Sequence, residues 1–93
     1  MTDALRDRIQ AAAEALKQIG AKGVYLFGSA AHGDPAKARD VDLAVEGLPP
    51  ERFFEAMDRA ARILDCRLDL VDLDEDNAFT RYLKDEQELV RVG

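Results

Sequence analysis

Three aspartates occupy positions where a β-strand would normally carry apolar side chains. Asp40 and Asp42 are two residues apart, so on a strand both side chains project from the same face. Two neighbouring carboxylates repel each other, and their desolvation is costly unless a cation lies between them. A hard divalent cation such as Mg²⁺ prefers oxygen ligands and shares them with phosphates. Asp69, within the apolar segment 68–71, can complete the same site if its strand lies beside the first.

A glycine-serine pair, Gly28-Ser29, precedes Asp40 and follows the β-rich run Val24–Phe27. Glycine lets the backbone approach a phosphate closely, and serine adds a hydroxyl to the N–H donors at the start of a helix. Each signal alone also has an ordinary explanation. A Gly-Ser pair at a strand end is typical of a turn, and two aspartates at a strand entrance are typical of solvated edge residues.

The elements that must position these residues follow from the spacing of apolar residues. Residues 1–20 are predicted to form a helix ending at Gly20, because one apolar stripe recurs at three- and four-residue steps: Leu5, Ile9, Ala12, Leu16 and Ile19. Strands are predicted at 24–27, 41–46 and 67–73, and a helical turn at 30–33.

A second long helix is predicted after Pro50, with an inward stripe of Phe53, Met57, Ala60, Ala61 and Leu64. Phe53 and Phe54 are predicted to be core aromatics rather than a platform for stacking bases. The tail 74–93 is predicted to hold a helix and a short strand at 89–90, with the inward helix residues Phe79, Tyr82 and Leu83. This order predicts an α/β (α+β) fold with a small mixed β-sheet flanked by helices.

Length and composition restrict the class of protein. The 93 residues predict a single domain, 1–93, and a mixture of 47% apolar and 34% charged residues is ordinary for a globular chain. A net charge of −6 without a basic run argues against general nucleic-acid binding, which needs clustered Lys and Arg. The lone cysteine, Cys66, cannot form an internal disulfide, and no apolar run is long enough to span a bilayer. We therefore expect a cytoplasmic protein without membrane association.

The spacing of the candidate residues resembles a known family signature. Gly28-Ser29 is followed by ten residues and then Asp40-x-Asp42, similar to the Gly-Ser-x10-Asp-x-Asp pattern of the DNA polymerase β-like nucleotidyltransferase superfamily. The segment 68–71 resembles the strand that carries the third carboxylate of that family. The likeness covers almost the whole chain, and its length resembles the minimal nucleotidyltransferase (MNT) group of bacteria and archaea. The resemblance implies a polymerase-β-like nucleotidyltransferase fold.

The resemblance also implies a role for each matching residue. Asp40 and Asp42 would ligate Mg²⁺ ions that bridge to a nucleoside triphosphate. Asp69 would complete the metal site and accept the proton of an attacking hydroxyl, while Gly28 and Ser29 would contact the β- and γ-phosphates. The implied reaction is attack of that hydroxyl on the α-phosphorus with release of pyrophosphate.

Two positions complicate the match. His32 stands where related sequences often have an arginine, so a basic phosphate contact is not assured there. Asp72 is a second acid in the third strand, but the family register favours Asp69 as the third carboxylate.

The resemblance implies transfer of a nucleoside monophosphate, AMP from ATP, to a protein hydroxyl. Members of the MNT group commonly act as antitoxins of HEPN-type ribonuclease toxins, so a HEPN-type toxin in a hetero-complex is the expected partner. One alternative is a non-catalytic antitoxin that neutralises its toxin by binding. Another is a small-molecule nucleotidyltransferase, although such enzymes usually carry a further domain.

Overall fold

A computed structural model describes residues 3–28, 31, 40–86 and 88–93. In chain order they form α1 (Asp3–Ile19), β1 (Gly23–Phe27), β2 (Asp40–Glu46), a 3-10 helix (Pro50–Arg52), α2 (Phe53–Leu64), β3 (Arg67–Asp72), α3 (Ala78–Asp85) and β4 (Val90–Arg91). All four predicted strands are present, with ends shifted by one residue. Of the helical turn predicted at 30–33, Ala31 is helical and the other residues lie outside the described part of the chain.

The described strands form one sheet in the order β3-β2-β1-β4. β2 pairs in parallel with β3 and antiparallel with β1, and β1 pairs antiparallel with β4. The parallel pair requires a crossover, which α2 supplies, because parallel neighbours cannot be joined by a tight hairpin. The predicted mixed sheet flanked by helices is thereby confirmed, and β3 lies at one edge of it.

One face of the sheet forms the main core with α1 and α2. The predicted stripe of α1 is buried at Ile9, Ala12, Leu16 and Ile19, and Leu5 packs against it. Alternate residues of β2, the set 41, 43 and 45, point into this core and are almost fully buried. The same alternation places Asp40 and Asp42 on the opposite face.

The opposite face is partly covered by α3. Leu83 of α3 is buried against Phe27, Ala44 and Leu73, which form a second, smaller cluster. Phe27 of this cluster is the register partner of Asp42, so the cluster begins beside the acids and extends along β2 to Ala44. The sheet therefore has one fully packed face and one face divided between a small core and the acids.

Three of the aromatic residues predicted to be inward are exposed instead. Phe54, Phe79 and Tyr82 are 79%, 49% and 53% exposed, so the prediction of core positions for them is wrong. Phe53 is half-buried and packs against the main core. Successive helical residues are about 100° apart, so Phe53 and Phe54 cannot both face the sheet. In α3 the buried positions are Thr80 and Leu83 rather than the aromatics.

Candidate active site

The parallel pairing of β2 and β3 brings two of the predicted acids together. Asp42 lies directly opposite Asp69 in the register of these strands, and residues opposite each other project from the same face. Asp40 is on the same face as Asp42, because it is two residues earlier in β2. The three predicted carboxylates thus share one face and one end of the sheet.

Burial distinguishes the three carboxylates. Asp42 is half-buried, whereas Asp40 and Asp69 are exposed. Loss of water raises the pKa of Asp42, and the charge and hydrogen bond of the Asp69 carboxylate raise it further, with a smaller contribution from Asp40. Asp42 therefore sits in a local excess of negative charge, which a bound cation would relieve.

Gly28 approaches the acid pair from the end of β1. Its φ of +72° lies in the left-handed region, which residues with a side chain rarely adopt. A Cβ atom added to Gly28 would collide with the Asp42 carboxylate oxygen Oδ2. The positive φ favours glycine here, and the missing side chain lets the Asp42 carboxylate lie against the backbone. Ser29, the second residue of the predicted phosphate cradle, and His32 lie outside the described residues.

Asp72 belongs to a different environment from Asp69. It lies opposite Val45, so alternation along β3 places it on the face away from Asp42. Its Oδ1 accepts a hydrogen bond of 2.9 Å from the backbone N–H of Asp74, which closes the turn after the strand. This geometry supports Asp69 rather than Asp72 as the third acid of the site.

A wall beside the carboxylate face is formed by α3, and a reciprocal cap fixes its start. The Asn77 side chain accepts from the Thr80 N–H at 2.9 Å, and the Thr80 hydroxyl accepts from the Asn77 N–H at 3.1 Å. The same hydroxyl donates to the Glu75 carbonyl at 2.7 Å, which explains why a threonine can be fully buried here. The Phe79 ring meets the Phe27 ring edge-on, with 6.0 Å between the ring centroids. Phe27 is the residue directly before Gly28.

The donor set suits a hard cation. Asp40, Asp42 and Asp69 offer only carboxylate oxygens, the ligands that Mg²⁺ prefers. Within the described ranges, no group of three acidic, histidine or cysteine side chains is already close enough to hold a metal ion. The contact between Asp42 and Asp69 is formed, and Asp40 is exposed beside it. These three carboxylates fit one shared cation, which would draw Asp40 toward Asp42 and Asp69.

Arg67 is a candidate that the sequence analysis did not identify. It opens β3 directly opposite Asp40 and is exposed on the same face as Asp69. A guanidinium at this place suits an anionic ligand such as a phosphate. The sequence does contain a signal for it: Arg67 lies two residues before Asp69, and alternation along a strand puts both side chains on the same face.

Comparison with known proteins shows the family of the chain. The family model described as "Polymerase beta, Nucleotidyltransferase" matches residues 8–90. The chain therefore belongs to the polymerase β nucleotidyltransferase family, with the fold that its strands and helices form. No curated protein matches it in sequence.

Solved structures with a similar fold come from toxin-antitoxin complexes. One is a toxin-antitoxin structure with AMP-PNP, with a TM-score of 0.69 at 24% identity. The alignment covers 95% of this chain and 72% of the chain in that structure. A second contains a tri-AMPylated HEPN toxin of Shewanella oneidensis in complex with an MNT antitoxin, with a TM-score of 0.69 at 20% identity. The alignment covers 96% of this chain and 71% of the chain in that structure. A third, the MntA-HepT toxin-antitoxin, has a TM-score of 0.65 at 21% identity, covering 92% and 69%.

The sequence predicts that no segment of the chain spans a bilayer. Among the described residues, no helix combines the length and the apolar character needed to cross a bilayer.

Proposed function

We propose that the chain transfers AMP from ATP to a hydroxyl of a partner protein. The observation that carries the proposal is the register of β2 and β3, which sets Asp42 beside Asp69 on the face that also bears Asp40. An acid pair of this kind is costly without a cation and suited to a metal-bound triphosphate. Membership of the nucleotidyltransferase family supports the same chemistry.

Each residue has a distinct role in the proposed site. Asp40, Asp42 and Asp69 would hold Mg²⁺, which would neutralise charge on the triphosphate. The backbone at Gly28 and the hydroxyl of Ser29 bind the β- and γ-phosphates. Arg67 adds a positive charge at the entrance of the site.

The proposed reaction forms one bond and breaks one. The acceptor hydroxyl oxygen bonds to the α-phosphorus, and the bond from that phosphorus to the bridging oxygen of pyrophosphate breaks. The hydroxyl proton passes to the Asp69 carboxylate. This carboxylate is exposed to solvent, so the hydroxyl of a docked acceptor protein can reach it. Positioning and electrostatic stabilisation supply most of the rate enhancement in such a site.

Two findings support a protein as acceptor, and a HEPN-type toxin in particular. Asp40 and Asp69 are both exposed, so the carboxylate end of the sheet is open to a protein that docks beside it. One protein of similar fold is an MNT antitoxin in complex with a tri-AMPylated HEPN toxin, and two others come from toxin-antitoxin structures. The AMP-PNP in another complex supports ATP as the nucleotide.

The test is a labelling experiment with the protein encoded beside this chain. The two purified proteins are incubated with Mg²⁺ and ATP that carries ³²P on either the α- or the γ-phosphate. We expect label on the neighbouring protein from the α-position only, and none with Asp40→Ala. A stable complex that never acquires label would instead favour neutralisation by binding alone.

A further inference from the structure

A groove of about 520 Å³ runs along the outer edge of β3. Leu70, Val71 and Asp72 form its floor, immediately after Asp69 in the strand. One wall comes from the start of α2 and the other from the segment 75–79 at the start of α3. The groove therefore begins where the carboxylate site ends.

The groove is flanked by aromatic rings that the fold leaves exposed. Phe54 is 79% exposed, and its ring meets that of Phe53, which packs against the main core. Phe79 is 49% exposed on the other face of the sheet, where its ring meets Phe27 of the smaller cluster. An exposed apolar side chain thus lies on each face of the same strand edge.

The backbone at this edge is available for pairing. β3 is the last strand on its side of the described sheet. The Leu73 N–H donates to the Val45 carbonyl at 2.8 Å, so the alternation of a strand directs the N–H groups of Leu70 and Asp72 outward. The Asp72 carbonyl already accepts from the Glu75 N–H at 3.2 Å, so the edge offers an added strand these two N–H groups and the Leu70 carbonyl.

The charge of the groove favours a basic occupant. Its charged lining residues are Asp72 and Glu75, both acidic. Near its walls, Arg52 is paired with Glu55 at 3.1 Å and Arg81 with Asp76 at 2.7 Å. Arg67 opens the same strand, but it lies opposite Asp40 and does not line the groove. An extended segment rich in Lys or Arg would therefore complement this edge.

We propose that an extended basic segment of the acceptor protein binds as an added strand along the outer edge of β3, with its side chains packed alternately against Phe54 and Phe79. This docking mode rests on the proposed function and specifies how the acceptor reaches the site. A residue of the segment opposite Asp69 projects onto the carboxylate face, because opposed residues in a sheet share a face. Its hydroxyl then lies beside the proton acceptor.

The test uses the full chain, labelled with ¹⁵N, and a synthetic peptide, Lys-Val-Lys-Val-Tyr-Val-Lys-Val-Lys. Valines alternate with lysines so that one face of the added strand is apolar and the other is basic. Binding is followed by amide chemical shifts in EDTA without nucleotide. The expected result is saturable shifts centred on the Leu70 and Asp72 amides.

Two companion peptides test strand addition itself. One carries N-methyl groups on the valine amides and the other on the lysine amides, since only one alternate set faces the edge. One of the two should bind at least about tenfold more weakly, and the other should match the parent peptide. Equal binding by both, or an absence of shifts at millimolar parent peptide, would overturn the proposal.

A matched pair of protein variants locates the site. Phe54→Ser should weaken peptide binding about tenfold, whereas Val90→Ser should not, because Val90 is an exposed apolar residue at the opposite sheet edge. Shifts at β4 instead would place the peptide at the other edge of the sheet and overturn the proposal. Self-association of the chain that Phe54→Ser abolishes would show that a second copy, rather than the acceptor protein, occupies the edge of β3. Because neither nucleotide nor metal is present, these outcomes are independent of whether AMP transfer occurs.

Discussion

Replacing Asp42 by Asn should stabilise the protein without ligand and abolish its stabilisation by Mg²⁺ and ATP. Asp42 faces Asp69 directly in the parallel register, and both are acidic. Like charges opposite each other in a sheet destabilise it by a few tenths of a kcal/mol to about 1 kcal/mol. Asn keeps the shape of Asp42 and can donate a hydrogen bond to Asp69, so the repulsion is removed without a cavity.

The size of the effect can be worked out for a domain of this length. About 1 kcal/mol corresponds to about 4–8 °C in Tm for a domain of about 60–100 residues. A ligand at about a hundred times its Kd stabilises the native state by about 2.7 kcal/mol, a larger gain that only the wild type receives. The Asp42→Asn variant should therefore melt above the wild type in EDTA and below it in saturating Mg²⁺ and ATP.

The pH dependence of the unliganded protein fixes the sign independently. Burial and the neighbouring acids raise the pKa of Asp42 in the folded protein above its ordinary value of 3.8. The folded state holds this proton more tightly, so the associated stability is present below pH 3.8 and is lost as pH rises through the raised pKa. The stability advantage of the Asp42→Asn variant over the wild type should accordingly be absent in acid and complete at pH 7.

Differential scanning calorimetry with and without ligand measures both effects. Asp72→Asn is the matched control, because it is the same substitution in β3 but on the opposite face from Asp42. It should show neither the rise in EDTA nor the loss of the ligand effect. A wild type that melts above Asp42→Asn in EDTA at pH 7, or equal stabilisation of the two by Mg²⁺ and ATP, would refute the reasoning.

The remaining predictions concern the rest of the site. Gly28→Ala should lower the free energy of unfolding by about 1–3 kcal/mol in urea titrations, because a residue with a Cβ is strained at a φ of +72° and the Asp42 carboxylate must move aside; an unchanged midpoint would contradict this. Asp69→Asn should fold normally and reduce nucleotide transfer about a hundredfold or more, whereas Asp72→Asn should retain transfer; the reverse result would show that the assigned register of β3 is wrong. Asn77→Ala should cost about 1 kcal/mol and speed hydrogen exchange of α3, since the cap over Thr80 is lost; equal exchange rates would argue against the cap.

The sequence predicted the elements well because each depends on local periodicity. The α1 stripe and the alternation in β2 depend only on residues a few positions apart, and both are present. The proximity of Asp42 and Asp69 was predicted on the condition that β3 lies beside β2, and the structure meets that condition. The roles of the site residues stay predictions, to be decided by the experiments above.

The errors arose where packing between distant segments decides the outcome. Phe79 and Tyr82 are apolar enough to be expected inside, yet α3 is short and rests on Leu83 and Thr80. Thr80 is buried only because the Glu75 carbonyl and the Asn77 cap satisfy its hydroxyl. Neither the helix period nor residue polarity reveals that arrangement.

Attachment of AMP to a partner protein is the central activity proposed for this chain. The direct measurement is the intact mass of the neighbouring gene product after co-expression with the wild-type chain or with Asp40→Ala. We predict added mass in AMP-sized steps with the wild type and the unmodified mass with Asp40→Ala. An unmodified mass in both cases, from a partner that remains bound, would contradict enzymatic transfer.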